Sequence, residues 1–127
     1  MFFYERSRNK MANVIDGLEA CGCNVPEAMN RFLQDEGLYV KCLYTFTNDA
    51  SFESLDAALG SKNYKQAFEE AHTLKGVSAY LSLTPLYNAV CRVVEDLRHE
   101  SYETLDEDYA GFREAYQQYL KIMGDKD

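Results

Sequence analysis

Ala71-His72-Thr73-Leu74-Lys75-Gly76-Val77-Ser78-Ala79-Tyr80-Leu81 is the stretch from which the fold of this chain is read. On a helix advancing roughly 100° per residue, Ala67, Ala71, Leu74, Ser78 and Leu81 share one side, and that side must face a core. His72, Gly76 and Ala79 fall opposite, with Phe68 and Lys75 at the edges. The histidine is therefore expected in water, with a lysine one turn on. Glycine inside a helix costs on the order of 1 kcal/mol against alanine. Gly76 needs a reason, and one is that something approaches the helix closely beside the imidazole.

The same periodicity continues on both sides. Met11 to about Ala20 reads as a short helix with Val14, Ile15 and Leu18 inward, whereas residues 1–10 carry no period and are expected to fray. Asn24 and Pro26 start a brief turn through Phe32. Glu36 to Thr47 buries Leu38 or Tyr39, with Cys42, Leu43 and Phe46. Phe52 to Leu59 follows, with Gly60 as its C′ glycine. Asn63 and Gln66 form a capping-box pattern ahead of the His72 helix. Thr84 is the expected N-cap of a helix with the stripe Leu86, Val90, Val93 and Leu97. Thr104 with Glu107 is the expected cap of a last helix lined by Leu105, Tyr109, Phe112, Tyr116, Tyr119 and Met123. Short loops favour antiparallel neighbours. The expected fold is all-α: an antiparallel up-and-down four-helix bundle with additional short N-terminal helices. Residues 11–127 form its single domain.

Composition narrows the function. Thirteen basic and 21 acidic residues leave a formal charge of −8, which repels phosphate backbones and anionic membrane. No apolar run approaches the roughly 20 residues of a bilayer span. The first residues, Met1-Phe2-Phe3-Tyr4-Glu5-Arg6, do not resemble a signal peptide, so the cytoplasm is expected. A chain opening on methionine is expected to be free-standing. Cys21, Cys23, Cys42 and Cys91 contain no C-x-x-C pair, and only two histidines are available. They are read as reduced, small hydrophobes, and no metal or cofactor is expected. His99, in the last turn of its helix, is read as structural. The acidic pairs are read as solvated surface. No P-loop, nucleophile elbow or dinucleotide fingerprint is present.

One constellation remains. An accessible imidazole is a nucleophile toward an acyl phosphate. Lys75 offers an ammonium to phosphoryl oxygens, Gly76 and Ala79 leave room for a partner, and Phe68 supplies an apolar anchor.

The run His72-Thr73-Leu74-Lys75-Gly76 resembles the H-x-L-K-G signature of histidine-containing phosphotransfer (HPt) domains. The segment Asp35-Glu36-Gly37-Leu38-Tyr39 and the apolar positions Leu86, Ala89, Val90 and Val93 extend the likeness over roughly residues 11 to 100. The resemblance implies a phosphorelay. His72 accepts a phosphoryl group from an aspartyl phosphate on a receiver domain and passes it to another receiver, and Lys75 steadies the phosphoryl oxygens. The receiver, itself served by a hybrid sensor histidine kinase, brings the Mg²⁺ and most of the charge stabilisation. Three departures stand out. Ser82 occupies the place of a usual second glycine, Val77 and Tyr80 are bulky, and Val94 sits where some relatives hold the imidazole with a glutamine or glutamate.

The reading is thus a monomeric phosphocarrier rather than an enzyme, phosphorylated on His72. It docks receivers through Phe68, His72, Lys75, Gly76, Ala79 and Tyr80. The alternatives are a docking module that carries no phosphate and a purely structural or metal-binding bundle.

Overall fold

The computed structural model describes the backbone of residues 2–124 and side chains from Asn9 onward. Among these residues every regular element is helical: α1 (Phe2–Ala20), α2 (Val25–Arg31), α3 (Glu36–Thr47), α4 (Ser51–Gly60), α5 (Tyr64–Tyr80), α6 (Thr84–Arg98) and α7 (Tyr102–Gly124). Helix α1 starts at Phe2 and not at Met11, so most of the segment expected to fray is helical. Residues 125–127 of the expected domain lie outside the described residues.

The apolar stripes do what their spacing requires. Leu86, Ala89, Val90, Val93, Val94 and Leu97 of α6 are buried, as are Leu105, Phe112, Tyr116, Tyr119 and Met123 of α7. On α3, Tyr39 faces the core with no exposed surface, while Leu38 is left in the open. Helices α4 to α7 pack each on the next, and α3 lies on α7. The Tyr119 hydroxyl, which donates to the Leu43 carbonyl, ties α7 to α3. Helix α1 rests on α7, where Gly17 lets the backbones close up: a Cβ there would stand 3.0 Å from Ile122.

The turns share one device. Lys62, Ser82 and Glu100 each follow a helix and adopt left-handed backbone, with φ of 59°, 55° and 54°. In each case the next amide reaches back across the turn: Asn63 to Ala58 at 2.8 Å, Leu83 to Ser78 at 2.9 Å, Ser101 to Asp96 at 2.8 Å. This is the Schellman closure, which satisfies orphan helix-end carbonyls. A side chain in left-handed backbone costs roughly 1–2 kcal/mol. Gly60, expected at such a position, is instead the last residue of α4, and Lys62 takes the strain.

Two caps are also corrected. Leu83 is the N-cap of α6, and the Thr84 hydroxyl accepts from the Asn24 amide at 3.2 Å, linking the turn to the start of α2. Thr104 lies inside α7, where its hydroxyl donates to Asp96 at 2.9 Å across to α6. Both threonines spend their hydroxyls on tertiary contacts that no local pattern reveals.

Candidate functional site

Helix α5 carries the site. Asn63 starts it, its Oδ1 accepting from the Gln66 amide at 3.2 Å. The reciprocal half of the capping box is absent. The Asn63 amide closes the preceding turn instead, and the Gln66 side chain donates to Glu70 at 2.6 Å. Ala67, Ala71, Leu74 and Ser78 are buried. That anchorage points the opposite side outward, and His72, Gly76, Ala79 and Tyr80 are exposed there.

The imidazole of His72 makes no hydrogen bond or ion pair among the described residues. An aromatic neighbour is Phe68, a turn earlier, with ring centroids 6.0 Å apart. Phe68 is half-buried, and the guanidinium of Arg98 lies 5.7 Å from its ring centre. The anchor is therefore also a strut between α5 and α6. Lys75 is half-buried and forms no ion pair among the described residues. Val94 has no exposed surface and points into the core, so this α6 position offers the imidazole nothing.

Gly76 is informative because nothing around it demands a glycine. A Cβ there would meet nothing within 4 Å, and its φ is not positive. Beside it lies a hollow of about 300 Å³ between α3 and α5, lined by Cys42, Thr45, Phe46, Asp49, Gly76, Val77, Tyr80 and Leu81. The local structure thus offers a cation, an unencumbered imidazole, two very small residues and a shallow depression on one smooth face. Such a face suits a group attacked or delivered by a second protein. It lacks the enclosed cleft in which a small substrate is buried.

Arg31 and Ser82 complete the surroundings, and sequence reasoning missed their role. Arg31 Nη1 donates to the Tyr80 carbonyl at 2.6 Å and to the Ser82 hydroxyl at 3.0 Å. The Ser82 hydroxyl in turn donates to Glu27 Oε1 at 2.8 Å. The only signal was Ser82 itself, standing where the resembling sequences favour glycine. Its partners sit about fifty positions away on α2, beyond the reach of any local pattern. Ser82 keeps the left-handed backbone and adds a hydroxyl that α2 holds.

The four cysteines are unpaired, and Cys21 and Cys23 stand 3.7 Å apart at sulfur. Burial, with the neighbouring Cys21, pushes the Cys23 thiol up to about 12, so it is a poor nucleophile. Among the described residues no three His, Cys, Asp or Glu side chains gather to hold a metal. None of the described helices is long and apolar enough to cross a membrane. His99 lies 3.2 Å from Glu95 at the end of α6.

Comparison with known proteins places this arrangement. No curated protein and no solved structure matched the chain. The Hpt domain family model matches residues 43–121, from within α3 to near the end of α7, and leaves the Asp35–Tyr39 segment outside. The match takes in more than half of the chain, including all of α5 with its exposed histidine. The chain belongs to the Hpt domain family, whose members carry phosphoryl groups in two-component phosphorelays.

Proposed function

We propose that His72 is the phosphorylated residue of a monomeric, cytoplasmic phosphocarrier that exchanges its phosphoryl group with receiver domains, one of them fed by a hybrid sensor kinase. The broken helix α3–α4 together with α5, α6 and α7 makes up the antiparallel up-and-down bundle, with α1 and α2 added to it. The observation that carries the reading is the contrast across α5. One side is wholly buried, and the other presents an imidazole with no hydrogen-bond or ion-pair partner among the described residues, next to a glycine that no internal contact requires.

The chemistry follows from that presentation. The lone pair of an unprotonated ring nitrogen attacks the phosphorus of an aspartyl phosphate. The P–O bond to the aspartate breaks, and the carboxylate leaves with its electron pair. The reverse sequence delivers the group to a second receiver. Lys75, one turn from His72, lies where its ammonium meets the phosphoryl oxygens as charge spreads over them. Gly76 and Ala79 let the receiver's edge approach, while Phe68 and Tyr80 frame the contact. Positioning and electrostatics dominate phosphoryl transfer, so a carrier contributing one nucleophile and one cation suffices when the receiver supplies its own Mg²⁺.

The test is transfer from a receiver loaded with radiolabelled phosphate. The expected product is an acid-labile, base-stable adduct on this chain, lost in His72→Gln while helicity and melting stay as in the wild type. Label that survives in the variant removes His72 from the role. Binding of the receiver without any label would favour the docking module that carries no phosphate.

A further inference from the structure

We propose that Tyr80 selects among receivers and that α2 holds it in place for that purpose. This rests on the reading of α5 as the receiver-docking face. Tyr80 follows His72 by eight residues, roughly 12 Å along the helix, within the footprint of one protein partner. It lies on the Gly76 side of the face, and it is a large aromatic residue left 54% exposed.

Exposure alone is ordinary, but this residue is held by two contacts at its ring and one at its backbone. Phe32 meets it with centroids 5.3 Å apart at 60°. The Arg31 guanidinium sits 5.7 Å from the ring centre. The same guanidinium grips the Tyr80 carbonyl at 2.6 Å, at the negative end of the α5 dipole. Ser82 and Glu27 lock that guanidinium in turn, and the Glu27–Arg31 ion pair spans 3.7 Å.

Exposed aromatic surface that is already immobile loses little entropy on binding, so it rewards a partner with a matching apolar recess. The same contacts disfavour a partner that carries bulk there, because displacing the ring breaks its packing on Phe32 and Arg31. Of the two aromatic residues on the face, Phe68 is half-buried against α6, so Tyr80 offers the more exposed ring for a partner to read. Tyr80 is thus a specificity-determining residue, and Arg31 is a positioning residue acting through it.

The experiment measures phosphoryl transfer from a panel of radiolabelled receiver domains of the source organism to the full chain. Each rate is divided by labelling with phosphoramidate, which needs no receiver and reports a folded chain with an accessible His72. Tyr80→Ala is expected to lower transfer from the preferred receiver about tenfold and to change the least preferred by less than about twofold. Tyr80→Phe is expected to keep the wild-type ranking. Arg31→Met keeps the stem without the guanidinium and is expected to move the same ratio in the same direction, by less. An equal fall for every receiver, or an unchanged ratio between preferred and least preferred receivers, overturns the proposal. If phosphoramidate labels the wild type but no receiver does, the docking reading itself fails and takes this one with it.

Discussion

The chain has two histidines, both exposed, and they sit in opposite kinds of neighbourhood. At the end of α6, the histidine belongs to a local set of polar contacts. Glu95 bonds Arg98 at 2.6 Å and His99 at 3.2 Å, and Thr104 donates to Asp96 at 2.9 Å. On α5 the His72 imidazole and the Lys75 ammonium have no such partners among the described residues, and Gly76 weakens the helix for no internal return. The first region explains itself as stability. The second is intelligible only with something else present. Substitutions should therefore separate cleanly: those on α5 change transfer and spare the fold, and those at the α6 end do the reverse.

The largest expected effect is the exchange of the two histidines' fates. His72→Gln should lose all label at unchanged melting temperature. His99→Gln should keep full label and cost no more than about 0.5 kcal/mol in chemical denaturation, since an exposed pair contributes little. A loss of label in both would erase the contrast. Next is Lys75→Ala, expected to slow transfer from a loaded receiver by about tenfold or more, because a charge-assisted contact to the transferring group is lost. An unchanged single-turnover rate would strip Lys75 of its part.

Gly76→Ala sharpens the comparison further, because its two readouts should move in opposite senses. Helix propensity predicts a gain of up to about 1 kcal/mol, with open space to receive the methyl group. Transfer should slow several-fold as that methyl meets the receiver. A variant both more stable and fully active would show that nothing approaches there.

The smallest effect belongs to Asp96. Burial, and then the neighbouring carboxyl of Asp108, raise its carboxyl above the ordinary range. A group raised on folding contributes stability while protonated, fully so below its unfolded pKa of about 4, and loses that contribution as pH rises through the folded value. Asp96→Asn should therefore melt higher than the wild type at neutral pH, and the gap should close toward pH 4. Transfer from a loaded receiver should not change. A gap that stayed constant with pH would assign the effect to something other than titration.

Much of this was legible before any coordinates. The 3.6-residue spacing of apolar side chains is a property of the chain itself, so the helices α3 to α7 and the outward face of α5 followed from it. The helix ends were less legible. Lys62, Ser82 and Glu100 hold left-handed backbone without the glycine that usually marks it, and Thr84 and Thr104 turn from capping to cross-helix bonds. In each case a partner distant in sequence outweighs the local preference.

What the amino-acid order determined alone was that His72 stands on the outward side of its helix. A helix must bury its apolar stripe, and His72 lies opposite that stripe. What only the tertiary structure decided is the company around it. Val94 turns into the core and leaves the imidazole unheld, and α2 reaches across some fifty residues to clamp Tyr80 through Arg31 and Ser82. Burial periodicity is written along one helix. Contacts between helices depend on how the whole chain packs, and no window of sequence contains both partners.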